Sequence, residues 1–241
     1  MLTSRFLNIL LECRIQNNFM GSPVLSLAIF DLDNTLIRGD SDYQWGQFLI
    51  AKGVVDPGYA KREHDRYYAD YLAGNLDIYA FLDFQLKPLA ENDRSTLEVW
   101  RREFIDRHIL ELITAAAQQL VDDHRKKGDT LLIITATNSF LTRPIADAFG
   151  INHLIGTDPE EKQGQFTGKV VGIPSYREGK VERLNQWMAE HGENLTHSWF
   201  YSDSHNDLPL LDLVEHPVAV NPDGILAAHA RERGWPIIDL D

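Results

Sequence analysis

Cysteine is nearly absent. The 241 residues hold one, Cys13, so no disulfide can form within the chain. Stability must come from an apolar core, and the composition fits a reducing compartment, with a cytoplasmic location expected. Long apolar runs are missing too. None approaches the ~18 residues that a membrane-spanning helix needs. Basic residues are in deficit, with Lys+Arg at 23 against Asp+Glu at 36 and a net charge of -13. That balance argues against nucleic acid or an anionic membrane as a partner, since both require Lys/Arg surfaces. An acidic chain can still hold a phosphate where a local site supplies cationic charge. There is no internal repeat and no low-complexity segment. The short apolar run Phe6 to Leu11 is followed at once by Glu12 and Arg14, with no small-residue cleavage site, so no signal peptide is expected. Residues 1–22 read as an N-terminal extension, either outside the fold or a short helix on its surface.

What is present is a series of short apolar runs that end in polar clusters. Ser26 to Phe30 leads into Asp31 to Thr35, Thr130 to Ile134 into Thr135 to Asn138, and Ser198 to Ser202 into Asp203 to Asp207. Each reads as a buried parallel strand feeding a loop. Further strands are expected at 153–155, 217–220 and 236–238, with a small ribbon at 163–173 where Gly164, Gly168 and Gly172 punctuate alternating apolar residues. Helical periodicity fills 113–127, 139–149, 178–191, 208–214 and 227–233. From Asp40 to Leu112 the pattern is helical throughout, an insert of about four helices. On its first helix Trp45, Phe48 and Leu49 share one face. Alternating strands and helices predict a three-layer α/β domain around a parallel sheet.

The strand ends carry the chemistry. Asp31 and Asp33 stand two residues apart in an extended segment, so their side chains face the same side. In an open α/β sheet ligands collect outside the carboxyl ends of the strands. Carboxylates gathered there repel one another unless a cation or a shared proton offsets the charge. Oxygen donors without clustered Cys or His select a hard ion such as Mg²⁺. A single Asp after a strand is ordinarily a helix cap or a turn residue. Two Asp-rich turns after two buried strands, with hydroxyls ending another, outweigh that reading. Lys180, in the first turn of its helix, opposes the helix dipole. It would gain much more by facing a phosphate oxygen.

The stretch Ala28-Ile-Phe-Asp31-Leu-Asp33-Asn-Thr35 resembles the first motif of the haloacid-dehalogenase superfamily. Thr135, Lys180, and Asp203 with Asp207 match the second, third and fourth motifs in order. Gly179 to Leu184 and Asp203 to Leu208 are most similar to the phosphoserine-phosphatase-like branch, subfamily IB. The resemblance implies a Rossmann-like core of residues 23–39 and 113–241, with 40–112 as a helical cap of the C1 type. It also implies a Mg²⁺-dependent phosphomonoesterase for a small-molecule phosphate ester. Asp31 would attack phosphorus and form an aspartyl-phosphate. Asp33 would protonate the leaving alcohol and then activate water. Asp31, Asp33 (through its backbone carbonyl) and Asp203 would hold the metal. Thr135, Lys180 and Asn206 would bind the phosphoryl oxygens, and Asp207 would orient Lys180 or a metal-bound water. A phosphotransferase or a non-catalytic binding module of the same fold are the alternatives, and the oligomeric state stays open.

For the leaving group, Asp40 falls where this branch carries a Glu that holds a substrate ammonium. Gln85 falls where the branch has an arginine for the serine carboxylate, and Gln cannot form a charged fork. An amino alcohol phosphate without a carboxylate is therefore expected, with L-histidinol phosphate as the specific candidate. Tyr43, Trp45, Tyr67, Tyr68 and Tyr71 would offer a flat surface to an imidazole, or else form the cap's own core. Phosphoserine or another small metabolite ester is the alternative substrate.

Overall fold

The computed structural model describes residues 26–240. The expected extension at 1–22 lies outside them. A seven-stranded sheet runs in the order β4-β3-β2-β1-β5-β6-β7. Its strands are β1 (Leu27–Phe30), β2 (Thr130–Asn138), β3 (His153–Lys162), β4 (Gln165–Val171), β5 (Trp199–Ser202), β6 (His216–Val220) and β7 (Ile237–Ile238). All neighbours are parallel except β3 and β4, which form the expected ribbon as an antiparallel pair. β2 and β3 run several residues past their apolar runs. The extension is polar and shifts register between Ile134 and Asn138, so apolar content alone marks the strands too short.

Alternation on the strands separates two core faces. Ala28, Phe30 and Ile133 belong to one apolar cluster, while Leu27, Ile29, Leu132 and Ile134 belong to the other. The first cluster does not stop at the sheet. It continues through Trp45, Phe48, Leu86, Leu97 and Phe104 of the insert.

The insert contains five α-helices among the described residues, one more than its periodicity predicts. They are α1 (Ser41–Ala51), α2 (Pro57–Leu72), α3 (Ile78–Gln85), α4 (Lys87–Glu91) and α5 (Arg94–Phe104), followed by a π-helical turn at Ile105–Ile109. The additional helix is α4, since Pro88, whose stretch to Asp93 reads as a break, sits in its first turn, where proline is tolerated. Asp40, Asp56, Asp77 and Asp93 cap α1, α2, α3 and α5 by accepting backbone N–H bonds. Part of the acidic excess is thus spent on helix starts. Core helices α6 (Ala115–Lys127), α7 (Ser139–Ala148), α8 (Glu178–His191), α9 (Leu208–Leu211) and α10 (Gly224–Arg233) connect the strands.

Two local features hold this frame. Gly179, in the first turn of α8, packs so closely that a Cβ there would lie 2.2 Å from the Pro174 carbonyl oxygen. Buried His124 bridges Asp129 at 2.7 Å and the Tyr201 hydroxyl at 2.8 Å, and Asp129 also accepts from Ser26 Oγ. Burial pushes the His124 pKa below its ordinary value, with Asp129 opposing the shift only in part.

Gly179→Ala is expected to cost about 1–3 kcal/mol in chemical denaturation, the usual range for overpacking. The neutral folded His124 binds fewer protons than the same residue in the unfolded chain. Its contribution is therefore present above the ordinary imidazole pKa and shrinks as pH falls below about 6.5. The Tm gap between wild type and His124→Gln is expected to narrow from about pH 7.5 to about pH 5.

Candidate active site

β1 lies between β2 and β5, and the chain leaves it in opposite directions along the sheet. That is the topological switch at which α/β sheets open a crevice. Register sets what meets there. Phe30 pairs with Ile133 on one side and Tyr201 on the other. Asp31 therefore emerges level with Ile134 and Ser202, one step before Thr135 and Asp203. The Asp31 N–H donates to the Tyr201 carbonyl at 2.9 Å, extending the ladder to the candidate nucleophile. Asn34 then takes a left-handed conformation, φ 55°, which Asn tolerates.

Lys180 is almost fully buried in the crevice. Its Nζ donates to Asp31 Oδ1 at 3.0 Å and to Asp207 Oδ2 at 2.8 Å. Burial alone would lower its pKa, but Asp207 and Asp31 outweigh that and raise it, so the ammonium stays charged. Burial raises the Asp31 pKa; Lys180 opposes the shift, while Asp207 and Asp33 add to it. Asp207 also accepts from Ser202 Oγ at 2.7 Å. It thus holds Lys180, which is one of the two tasks expected of it.

Thr35 donates to Asp203 at 3.1 Å. Asp33 accepts from the Ser41 N–H at 2.7 Å and from Thr137 Oγ1 at 2.8 Å, with Thr135 Oγ1 farther off at 3.4 Å. The candidate acid–base group is thus anchored to the first turn of α1. The sequence places Thr137 in the hydroxyl-rich end of β2 but gives it no role in the site. It stands two residues after Thr135 on the same strand, and the period of two was the available signal.

Asp31, Asp33, Asp203 and Asp207 all line one pocket, with Lys180 the lining Lys or Arg among the described residues. Four carboxylates against one ammonium leave a strong negative excess. The donors are oxygens without Cys or His, a set that fits a divalent hard cation such as Mg²⁺.

The other end of the pocket is aromatic. Tyr43, His64, Tyr67, Tyr68, Tyr71 and Tyr176 line it, together with Asp40, Asp42 and Gln85. The expectation for Trp45 is corrected. It does not line the pocket but is buried, with its ring 5.3 Å from Phe48 and 5.1 Å from Phe104. It shares the apolar face of α1 with Phe48 and Leu49, opposite Tyr43. Asp40 lies at the rim, where one oxygen caps α1 by accepting from the Tyr43 N–H at 2.9 Å. Asn206 joins insert and core, since its Nδ2 donates to the Tyr71 carbonyl of the insert at 3.3 Å and its Oδ1 accepts from Tyr176 of the core at 3.1 Å. Tyr71 donates to Ser204 Oγ at 2.7 Å, and Arg177 donates to the Gly74 carbonyl at 2.8 Å. His205 shapes its loop through Asp223 rather than facing the pocket. Among the described residues His197, His216 and Glu215 bring ligand atoms within 4.8 Å of one another. They lie at the opposite end of the sheet.

Residues 28–212 match the family model described as haloacid dehalogenase-like hydrolase. The chain is 49% identical over 219 residues to a histidinol-phosphatase of Neisseria meningitidis serogroup C, covering 89% of this chain and 99% of that protein. A phosphoserine phosphatase of Mycobacterium tuberculosis is 34% identical over 226 residues, covering 88% and 70%. Among solved structures, a protein of unknown function from Bordetella pertussis Tohama I is 46% identical with a TM-score of 0.85, covering 90% and 99%. A substrate-bound phosphoserine phosphatase shares the fold at TM-score 0.66 and 18% identity, covering 89% and 92%.

Replacing Lys180 with Met would strand two buried carboxylates. A loss of about 3–5 kcal/mol in denaturant unfolding is expected. Adding Asp207→Asn should recover part of it, because one of the stranded charges is then gone.

Proposed function

The chain belongs to the haloacid dehalogenase-like hydrolases and is a phosphatase acting on small phosphate esters, and from that premise we propose that it hydrolyses L-histidinol phosphate through a phosphorylated Asp31. The pocket carries the reading. It joins the Asp31–Lys180–Asp203 crevice to an aromatic chamber that holds carboxylates and no arginine among the described lining residues. The carboxylate on the leaving group of phosphoserine would find no guanidinium there and would be repelled by Asp40 and Asp42. An ester with an ammonium and a flat ring would meet opposite charge and ring faces. The curated relative at 49% identity bears the name histidinol-phosphatase, which points the same way.

In this mechanism an oxygen of Asp31 attacks phosphorus in line, the ester P–O bond breaks, and the phosphoryl group passes to the carboxylate. Protonated Asp33 delivers its proton to the departing alkoxide. The resulting carboxylate then takes a proton from water as the water attacks phosphorus, freeing inorganic phosphate and restoring Asp31. The Ser41 N–H and Thr137 hydroxyl fix Asp33 for both transfers. Lys180 supplies positive charge beside the phosphoryl oxygens, with the Thr135 hydroxyl as a neutral donor. Mg²⁺, held by Asp31, the Asp33 backbone carbonyl and Asp203, would supply the charge that offsets repulsion between the carboxylate nucleophile and the anionic ester.

Phosphate release from L-histidinol phosphate, O-phosphoserine, p-nitrophenyl phosphate and a hexose phosphate tests this reading. With Mg²⁺, kcat/KM for L-histidinol phosphate should exceed that for phosphoserine by about tenfold or more. EDTA and Asp31→Asn should each abolish turnover. Equal rates on all four esters would remove the substrate assignment, and full activity of Asp31→Asn would remove the mechanism.

A further inference from the structure

One side chain in the aromatic chamber is not explained by the packing around it. Asp42 occupies the first turn of α1, lines the pocket and is only 8% exposed. A carboxylate there gains from the start of the helix. An exposed Asp would gain the same, so this does not account for burial. Its hydrogen bond among the described residues comes from Asn138 Nδ2 at 3.4 Å, near the outer limit for such a bond. Burial pushes its pKa well above the usual carboxylate range, and the charged groups acting on it, Asp40 and Asp33, have its own sign and push the same way. Lys180, the cation within the pocket, is committed to Asp31 and Asp207.

The surroundings look arranged to aim Asp42 rather than to neutralise it. Asn138 caps α7 by accepting from the Leu141 N–H at 3.1 Å, which fixes its amide nitrogen toward Asp42. On the same chamber wall the Tyr43 ring lies 4.5 Å from His64, and His64 stacks on Tyr68 at 6.0 Å. An acceptor with like-charged neighbours, set among ring faces, is complementary to an organic cation. Asp40 is the less free of the two acids, because one of its oxygens caps α1.

We propose that Asp42 is the counter-ion for the positively charged end of the substrate and sets the preference for phosphate esters that carry an ammonium or imidazolium. This rests on reading the pocket as a phosphatase site, but not on which cationic ester is the natural one. Asp42 touches the leaving group and takes no part in the proton transfers.

The test compares wild type with Asp42→Asn, an isosteric change that removes the charge. Turnover is measured on L-histidinol phosphate, O-phosphoethanolamine and p-nitrophenyl phosphate, and binding of L-histidinol is followed by calorimetry. The ratio of kcat/KM for either cationic ester to that for p-nitrophenyl phosphate should fall about 30-fold or more, mainly through KM. L-Histidinol should bind at least about tenfold more weakly, and the Tm should hold or rise, since a repelling buried acid has gone. An unchanged ratio, an equal loss on all three esters, or a marked drop in Tm would each overturn the proposal. If wild type hydrolyses none of the esters, the phosphatase reading fails separately. Calorimetry then decides the counter-ion role alone, and equal binding by the two proteins would sink it.

Discussion

The ammonium of Lys180 between Asp31 and Asp207 is the interaction on which the site depends. Four acids converge where three loops leave the sheet, and folding would be opposed by their repulsion without a compensating charge. One buried Lys supplies part of that compensation and is itself kept protonated by the acids it serves. The rest is left for bound cations to offset, a role that the proposed metal and the proposed cationic substrate would fill. Stability and catalysis therefore draw on the same excess of negative charge. The sheet order makes this possible, because only at β1 do two parallel neighbours place Thr135 and Asp203 on either side of the nucleophile position.

Much of the crevice was legible before any coordinates. Asp31, Asp33, Thr135, Lys180, Asp203 and Asp207 sit at strand ends or in a helix's first turn, where apolar runs stop abruptly. Strand geometry places such residues together once the sheet is parallel. The chamber was less legible. Most of its residues come from three helices whose relative rotation is set by packing, and a single sequence does not encode that rotation in any short pattern. Trp45 shows where a signal was available, since its spacing with Phe48 and Leu49 already put it on the core face. Asp42 shows where it was not. Beside Asp40 it reads as a second acid at a helix start, and only burial reveals it as exceptional. The strand lengths of β2 and β3 were underestimated because their polar ends pair as backbone, which side-chain character does not report.

The contacts between insert and core differ in kind from place to place. Near the sheet, α1, α4 and α5 contribute Trp45, Phe48, Leu89, Leu97 and Phe104 to the same apolar cluster as Phe30. Farther out, the attachment is polar. Tyr71 reaches Ser204, Asn206 reaches the Tyr71 carbonyl, and Arg177 reaches the Gly74 carbonyl. Arg177 does so from a strained backbone, φ 50°, a conformation costing about 1–3 kcal/mol that surrounding contacts must hold in place. The strain sits one turn from Lys180, so the loop that grips the turn after α2 also leads into the helix that carries the buried ammonium.

This division fixes which part of the molecule can swing. Lifting the whole insert would drag Trp45 and Phe104 into water, a loss of about 1.5–3 kcal/mol for each large apolar side chain exposed. Freeing α2 and the turn at Gly74 exchanges a few hydroxyl, amide and guanidinium bonds for bonds to solvent, nearly without net loss, but it also parts the buried Tyr67 ring from Phe81 and Phe84 of α3. Of the two boundaries, the polar one is therefore the cheaper to part. The loops on that boundary are the same ones that carry Asn206 and lead into the helix of Lys180.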